Sequence, residues 1–199
     1  MAFIHLARRE VHCKVVYYGP GRGGKTTNLI QLHRSLPGER RGGLTTLKTA
    51  ADRTLYFDFM PLDLGRIGGF QTRIHLYTVP GQPRYNASRR LVLQGVDGVV
   101  FVADSRTRRL FANRQSFANL RENLARVGRP LSALPLVLQY NKRDLERIAE
   151  REQLDRLLNA DRRPVVCATA VRGEGVEATL RAILQLVLAE LGRGSRSRR

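Results

Sequence analysis

The stretch Gly19-Pro20-Gly21-Arg22-Gly23-Gly24-Lys25-Thr26 has the spacing G-x-x-x-x-G-K-T, and that spacing suits the holding of a polyphosphate. Its glycines let successive backbone N–H groups turn inward on an anion without Cβ obstruction. Lys25 is then within reach of β- and γ-phosphates, and the hydroxyl of Thr26 can coordinate Mg²⁺, with Thr27 beside it. A glycine-rich turn that binds nothing is the competing reading. Context weighs against it: Val11–Tyr18 reads as a strand, and Thr26–Leu32 reads as a helix start with Leu29 and Leu32 three apart. Such a helix aims its positive N-terminal end at the phosphates.

Two further groups carry chemistry. Asn141-Lys142-Arg143-Asp144 follows a strand-like run that ends at Tyr140. A carboxylate there can accept hydrogen bonds from the N1–H and exocyclic amine of guanine, a pair that adenine does not offer. Alone, the same four residues could be a capped helix start. One strand further on, Thr169-Ala170-Val171 stands where a backbone N–H could meet the guanine O6. In Thr78-Val79-Pro80-Gly81-Gln82, the Gly81 N–H could serve a γ-phosphate and Gln82 could orient an attacking water. A proline–glycine turn with a solvent-facing glutamine fits that segment equally well.

Elements must bring these groups together, and the pattern supplies them. Leu55–Met60 and Thr72–Tyr77 read as strands joined by a turn over Gly65–Gly69, an antiparallel hairpin at one edge. Gly98–Ala103, Leu136–Tyr140 and Val165–Ala168 are apolar runs of the buried parallel type. Helical patterns over Leu110–Arg126, Leu145–Leu158 and Val176–Leu191 lie between and after them. Alternation of this kind argues for an α/β fold, a mostly parallel central sheet covered by helices on both faces with one antiparallel edge strand; with the phosphate loop added, the expectation is a three-layer P-loop NTPase. Ligands in such sheets bind beyond the carboxyl ends of the strands, where all three groups fall. One domain is expected over 1–191, followed by a basic, disordered tail over 192–199.

The 199 residues suffice for one substantial core. No apolar run reaches the ~20 residues of a membrane span, and the first residues lack a signal-peptide pattern, which implies a cytoplasmic protein. Cys13 and Cys167 sit in strand-like segments and read as buried reduced thiols. The net charge of +18 points to nucleic acid, anionic lipid or acidic protein surfaces. Many arginines fall between Arg106 and Arg129, where a merely solvated face is an equally good reading. No recognisable motif supports sequence-specific nucleic-acid binding.

Taken in order, these residues resemble the MglA-type branch of the bacterial Ras-like small GTPases. Tyr17–Gly21, Arg53-Thr54-Leu55, Phe57-Asp58-Phe59, Leu76–Gln82, Tyr85–Arg89, Gly95–Gly98 and Asn141–Asp144 carry the resemblance. Ordinary Ras-like proteins have an aspartate where this chain has Thr78, and MglA-type chains carry threonine there. The resemblance implies GTP and GDP as ligands with Mg²⁺, the hydroxyls of Thr26 and Thr54 being direct metal ligands. Support for the metal is expected to be weaker than with an acid at position 78. Gly19, Gly21, Gly23, Gly24, Lys25, Thr26, Thr27, Thr54 and Gly81 would hold phosphates, and Asn141, Lys142, Asp144, Thr169 and Ala170 the base. Gln82 and Arg53, the latter as an intrinsic arginine finger, are the catalytic candidates by resemblance. The segment 37–53 would be a switch, and a Roadblock-type MglB homodimer the activator. A role in cell polarity or gliding motility, at the inner membrane face or a cell pole, is implied as well. Two other classes stay open: a GTP-gated scaffold that hydrolyses negligibly, and a basic G protein bound to membrane or nucleic acid.

Overall fold

The apolar run at the centre of the sequence is wholly interior in the molecule. In a computed structural model, which describes residues 3–48 and 56–196, the strand Gly98–Asp104 is buried at every position. Helices cover both of its faces, so no polar alternation is needed. Among the described residues the sheet around it has eight strands. They are β1 (Phe3–His5), β2 (Glu10–Tyr18), β3 (Thr45–Lys48), β4 (Tyr56–Ile67), β5 (Phe70–Thr78), β6 (Gly98–Asp104), β7 (Leu136–Asn141) and β8 (Val165–Ala168). The helices are α1 (Lys25–Ser35), α2 (Asn86–Leu93), α3 (Leu110–Arg126), α4 (Arg151–Leu158) and α5 (Val176–Arg196).

Across the sheet the order is β3-β4-β5-β2-β6-β7-β8, with β1 beside β2. β5, β2, β6, β7 and β8 are parallel, so their carboxyl ends open onto one rim. On one face, Leu29 and Leu32 of α1 and Ile183 and Val187 of α5 pack on Cys13, Val15, Tyr17 and Val100. On the other, α2, α3 and α4 bring Leu93, Leu120, Leu124 and Leu154 against Val16, Tyr18, Phe101 and Tyr140. Each fully buried leucine contributes about 1.5–3 kcal/mol. That exceeds the ~0.7 kcal/mol range of ordinary helix propensities, so burial decides how the helices sit. The result is the expected three-layer P-loop NTPase fold.

Several details differ from the sequence reading. β4 runs on to Ile67, through an irregularity between Asp63 and Arg66. Asp63 holds that irregularity by accepting from the Gly65 N–H at 2.7 Å and from Gln71 Nε2 at 2.6 Å. The turn therefore shrinks to Gly68-Gly69. The antiparallel strand β4 is not at the edge, because β3 pairs outside it; the polar sequence of 35–53 gave no sign of that strand. The helix expected from Leu145 begins only at Arg151. α5 continues to Arg196, past the boundary expected at 191. Cys13 is buried, which pushes its thiol up to about 12, but Cys167 is exposed. It lies on β8, the short outermost strand, where only Ala168 is fully buried.

Candidate nucleotide-binding site

β2 delivers the chain to the rim at Tyr18, and Gly19–Gly24 turns it into α1. Gly24 is the N-cap, in a left-handed conformation with φ 108°, and a Cβ there would collide with Asn141 Nδ2. Only glycine satisfies both demands. Asn28, one turn into α1, donates to Gly24 O at 2.9 Å and to Gln139 Oε1 at 2.8 Å. Gln139 in turn donates to Asn28 Oδ1 and Thr179 Oγ1, each at 2.8 Å. This fully buried amide network ties the start of α1 to β7 and α5 with its polar atoms partnered.

Lys25 donates to the carbonyls of Gly19 at 2.9 Å and Pro20 at 2.8 Å, so the ammonium folds back over its own loop. Burial, with Arg89, Arg109 and Lys142 nearby, lowers its pKa to about 7, against a partial counter-effect from Asp58. A polyphosphate would supply the missing negative charge. Arg22 takes φ 61°, an uncommon left-handed conformation for a side-chain-bearing residue. Its side chain is exposed, while its carbonyl accepts from Lys142 Nζ at 2.6 Å.

The sequence reading gave no role to Asp58 on β4. The residue is 4% exposed, and its carboxylate accepts from Thr26 Oγ1 at 2.6 Å, Thr78 Oγ1 at 2.8 Å and Thr46 Oγ1 at 2.9 Å. The Thr78 hydroxyl also accepts from the Asp58 N–H at 2.9 Å. An acid absent from position 78 thus stands one strand away, facing the same hydroxyl of Thr26. A hard divalent cation favours such a set of oxygens, and Thr26 and Asp58 fit Mg²⁺. Alternation along β4 was the available signal: Asp58 shares the inward parity of Met60 and Leu62, where an unpaired acid would be costly. Arg53 and Thr54 lie outside the described residues.

Beyond β5, Gly81 packs so close to the phosphate loop that a Cβ would strike the backbone of Gly21 and Pro20. Gln82 follows, exposed, and lines the same cleft. The other side of the cleft is built at the ends of β7 and β8. Asn141 is buried; it donates to Gly23 O at 2.9 Å and accepts from the Ala170 N–H at 2.9 Å. That N–H, one of three in Thr169-Ala170-Val171 that could have met a base oxygen, is engaged by Asn141, because β7 and β8 end side by side. Thr169 lies behind it, its N–H bonded to Glu174 O at 3.0 Å. Asp144 is exposed at the rim and lines the cleft.

Asp104 ends β6 with its carboxylate fully buried. It pairs with Arg106 at 2.6 Å, Lys142 at 2.9 Å and Arg109 at 3.9 Å. Burial opposes its ionisation, but the bonds from Arg106 and Lys142 outweigh that and hold its pKa below the ordinary carboxylate value. With its oxygens so engaged, Asp104 is structural. Arg109 also donates to Gly21 O at 2.8 Å, so part of the arginine-rich stretch braces the phosphate loop. The abundance of other arginines hid that role in the sequence.

The cleft uniting these groups has a volume of about 1380 Å³. It brings Gly21, Gly23, Gly24, Lys25, Thr26 and Thr27 together with Gly81 and Gln82. Asn141, Lys142, Asp144 and Ala170 line it too, whereas Gly19 and Thr169 stand behind its wall. Among the described residues no helix is long and apolar enough to cross a membrane.

No family model matches the chain. It is 54% identical over 194 residues to the mutual gliding-motility protein MglA of Myxococcus xanthus (strain DK1622), covering 98% of this chain and all of that protein. With that identity along nearly the whole length, and a phosphate loop at the rim of a mostly parallel sheet, the chain belongs to the MglA family of small GTPases.

Proposed function

We propose that the chain is a switch operated by guanine nucleotide, binding GTP with Mg²⁺ and hydrolysing it slowly to GDP and phosphate. One observation carries the reading: a single cleft is lined both by the phosphate loop from Pro20 to Thr27 and by Asn141, Lys142 and Asp144. In this reading Lys25 leaves the Gly19 and Pro20 carbonyls for the β- and γ-phosphates, alongside the N–H groups of the loop. Thr26, Thr54 and Asp58 would hold Mg²⁺, which when bound offsets charge on the β- and γ-oxygens. Gly81 N–H meets the γ-phosphate, Gln82 orients the water, and Arg53 offsets charge developing in transfer. Asp144 selects guanine.

Gln82 is exposed on a connecting loop, and an exposed group is poorly pre-organised, so hydrolysis by the chain alone is slow. A Roadblock-type MglB homodimer is the proposed activator. The name of the Myxococcus protein supports a role in gliding motility; the proposed setting is cytoplasmic, in cell polarity or motility at the membrane's inner face or a pole. A scaffold without hydrolysis drew its support from the missing acid at Thr78. The Asp58 carboxylate, 2.8 Å from that hydroxyl, takes the support away.

Calorimetry with GTP, GDP and ATP tests the first step, and phosphate release with and without a Roadblock-type partner tests the second. Equal uptake of ATP and GTP, or none of either, would overturn the proposal.

A further inference from the structure

Gln82 can orient a water only if its backbone is held, and the loop between β5 and α2 that carries it is exposed at that residue. We propose that Arg89 is the residue that holds it, a positioning residue for hydrolysis that acts through Gln82. This inference rests on the GTPase reading above.

Arg89 belongs to α2 but is only 5% exposed. Its Nη1 donates to Pro80 O at 3.1 Å and to Gln82 O at 2.6 Å, the two carbonyls on either side of Gly81. Its Nε donates to Asn119 Oδ1 at 2.9 Å and its Nη2 to Asn86 Oδ1 at 3.3 Å. The planar fork of one guanidinium therefore spans the segment that must meet the γ-phosphate and the water. A lysine ammonium is a point charge on a flexible stem and cannot span the same set of acceptors.

The grip has its own support. Asn119 donates to Asn86 Oδ1 at 3.0 Å, and the fully buried Asn123 donates to Asn86 Oδ1 at 2.9 Å and to Asn119 Oδ1 at 3.1 Å. Tyr18 donates to Asn119 Oδ1 at 2.6 Å and accepts from Asn123 Nδ2 at 3.1 Å. Tyr18 is the last residue of β2, immediately before the phosphate loop. The loop carrying Gln82 is thus referenced, through Arg89 and two asparagines of α3, to the strand that launches the phosphate loop. Apart from Asn123 Oδ1, which finds no hydrogen-bond partner among the described residues, this buried network is partnered, and such networks fix geometry more than they add stability. Arg89 also stands near enough to Lys25 for its charge to be felt there, which places the grip beside the phosphate end of the cleft.

The test is a double-mutant cycle on the full chain, with Arg89→Lys, Asn119→Ala and Gln82→Ala alone and Arg89→Lys or Asn119→Ala combined with Gln82→Ala. Single-turnover GTP hydrolysis, GTP and GDP affinities and the thermal unfolding midpoint are measured for each. A displacement of ~1 Å at a reacting group costs up to ~10²-fold, so Arg89→Lys should slow hydrolysis by about tenfold or more. Both affinities should stay within about threefold, the signature of an interaction made only in the transition state. In the Gln82→Ala background Arg89→Lys should slow hydrolysis no further. Asn119→Ala should show a smaller slowing with the same non-additivity, and it decides the matter if Arg89→Lys does not fold. An unchanged rate in Arg89→Lys, the same fractional slowing with and without Gln82, or affinity falling in step with rate would overturn the inference alone. A wild-type chain that takes up no GTP, or a Gln82→Ala variant as fast as wild type, would overturn the underlying reading and this inference with it.

Discussion

Replacing Asp58 by asparagine keeps the shape and one of the two oxygens that accept from the hydroxyls of Thr26, Thr46 and Thr78, turns the other into an amide donor, and removes one negative charge. The Thr26 oxygen lies 2.6 Å from the Asp58 carboxylate. With a metal–oxygen distance of ~2.1 Å, a divalent ion on Thr26 stands up to ~4.7 Å from that charge. Coulomb's law then gives an attraction of about 1.8 kcal/mol in bulk water and about 7 kcal/mol at an effective dielectric of ~20. Even the lower value predicts Mg²⁺ affinity about 20-fold weaker in Asp58→Asn, taking 1.36 kcal/mol per factor of ten. The assay is release of a fluorescent GDP analogue titrated with Mg²⁺, which reads the metal without needing turnover. Unfolding of the metal-free protein should move by no more than about 1 kcal/mol, because one acceptor oxygen persists and a threonine hydroxyl can turn to accept from the new amide N–H. A half-saturating Mg²⁺ concentration within about threefold of wild type would refute the reasoning, since it lies far below the electrostatic minimum.

Gln82→Ala and Arg53→Ala should each bind GTP normally and lose partner-stimulated hydrolysis; stimulated rates equal to wild type would remove their catalytic assignment. Asp144→Asn should shift preference from GTP toward XTP, measured by competition, and an unchanged ratio would refute the base-reading role. The Lys25 pKa of about 7 lies below the ordinary 10.5. Between those values the unfolded chain holds the proton and the folded chain does not. The nucleotide-free protein should therefore gain stability as pH rises from about 7 toward 10.5. GDP binding in that window should take up a proton, seen as a calorimetric enthalpy that varies with the buffer's ionisation enthalpy; a buffer-independent enthalpy would contradict this. Arg22→Gly relieves a left-handed conformation costing ~1–2 kcal/mol against an entropic penalty of ~0.5–1 kcal/mol for glycine. A small net gain of about 0.5 kcal/mol in chemical unfolding is expected, and a loss above ~1 kcal/mol would contradict it.

What could be read in the sequence was what is contiguous in it. The Gly19–Thr26 loop and Asn141–Asp144 each carry their chemistry within a few positions, and the buried run of β6 declares itself by composition. Asp58 was illegible as a site residue because its partners are 32, 20 and 12 positions away, and only sheet pairing brings them together. Arg89 and Arg109 were lost among many arginines, whose identity alone does not separate a buried fork from a solvated one. β3 was missed because its four residues, Thr45–Lys48, lie in a polar stretch and form a strand through pairing with β4. Cys167 was misread because strand-like composition says nothing of which face an outermost strand leaves bare. The three-layer architecture was legible because it follows from the alternation of whole elements rather than from any one contact.

A single side-chain amide, that of Asn141, is bonded on one side to the Gly23 carbonyl and on the other to the Ala170 N–H. The two halves of the cleft are consequently not modular. A nucleoside fragment and an inorganic diphosphate, each presented alone, should engage the protein with less than their share of the intact ligand's affinity. Attempts to re-engineer base preference at Asn141 will disturb the fit for phosphate as well.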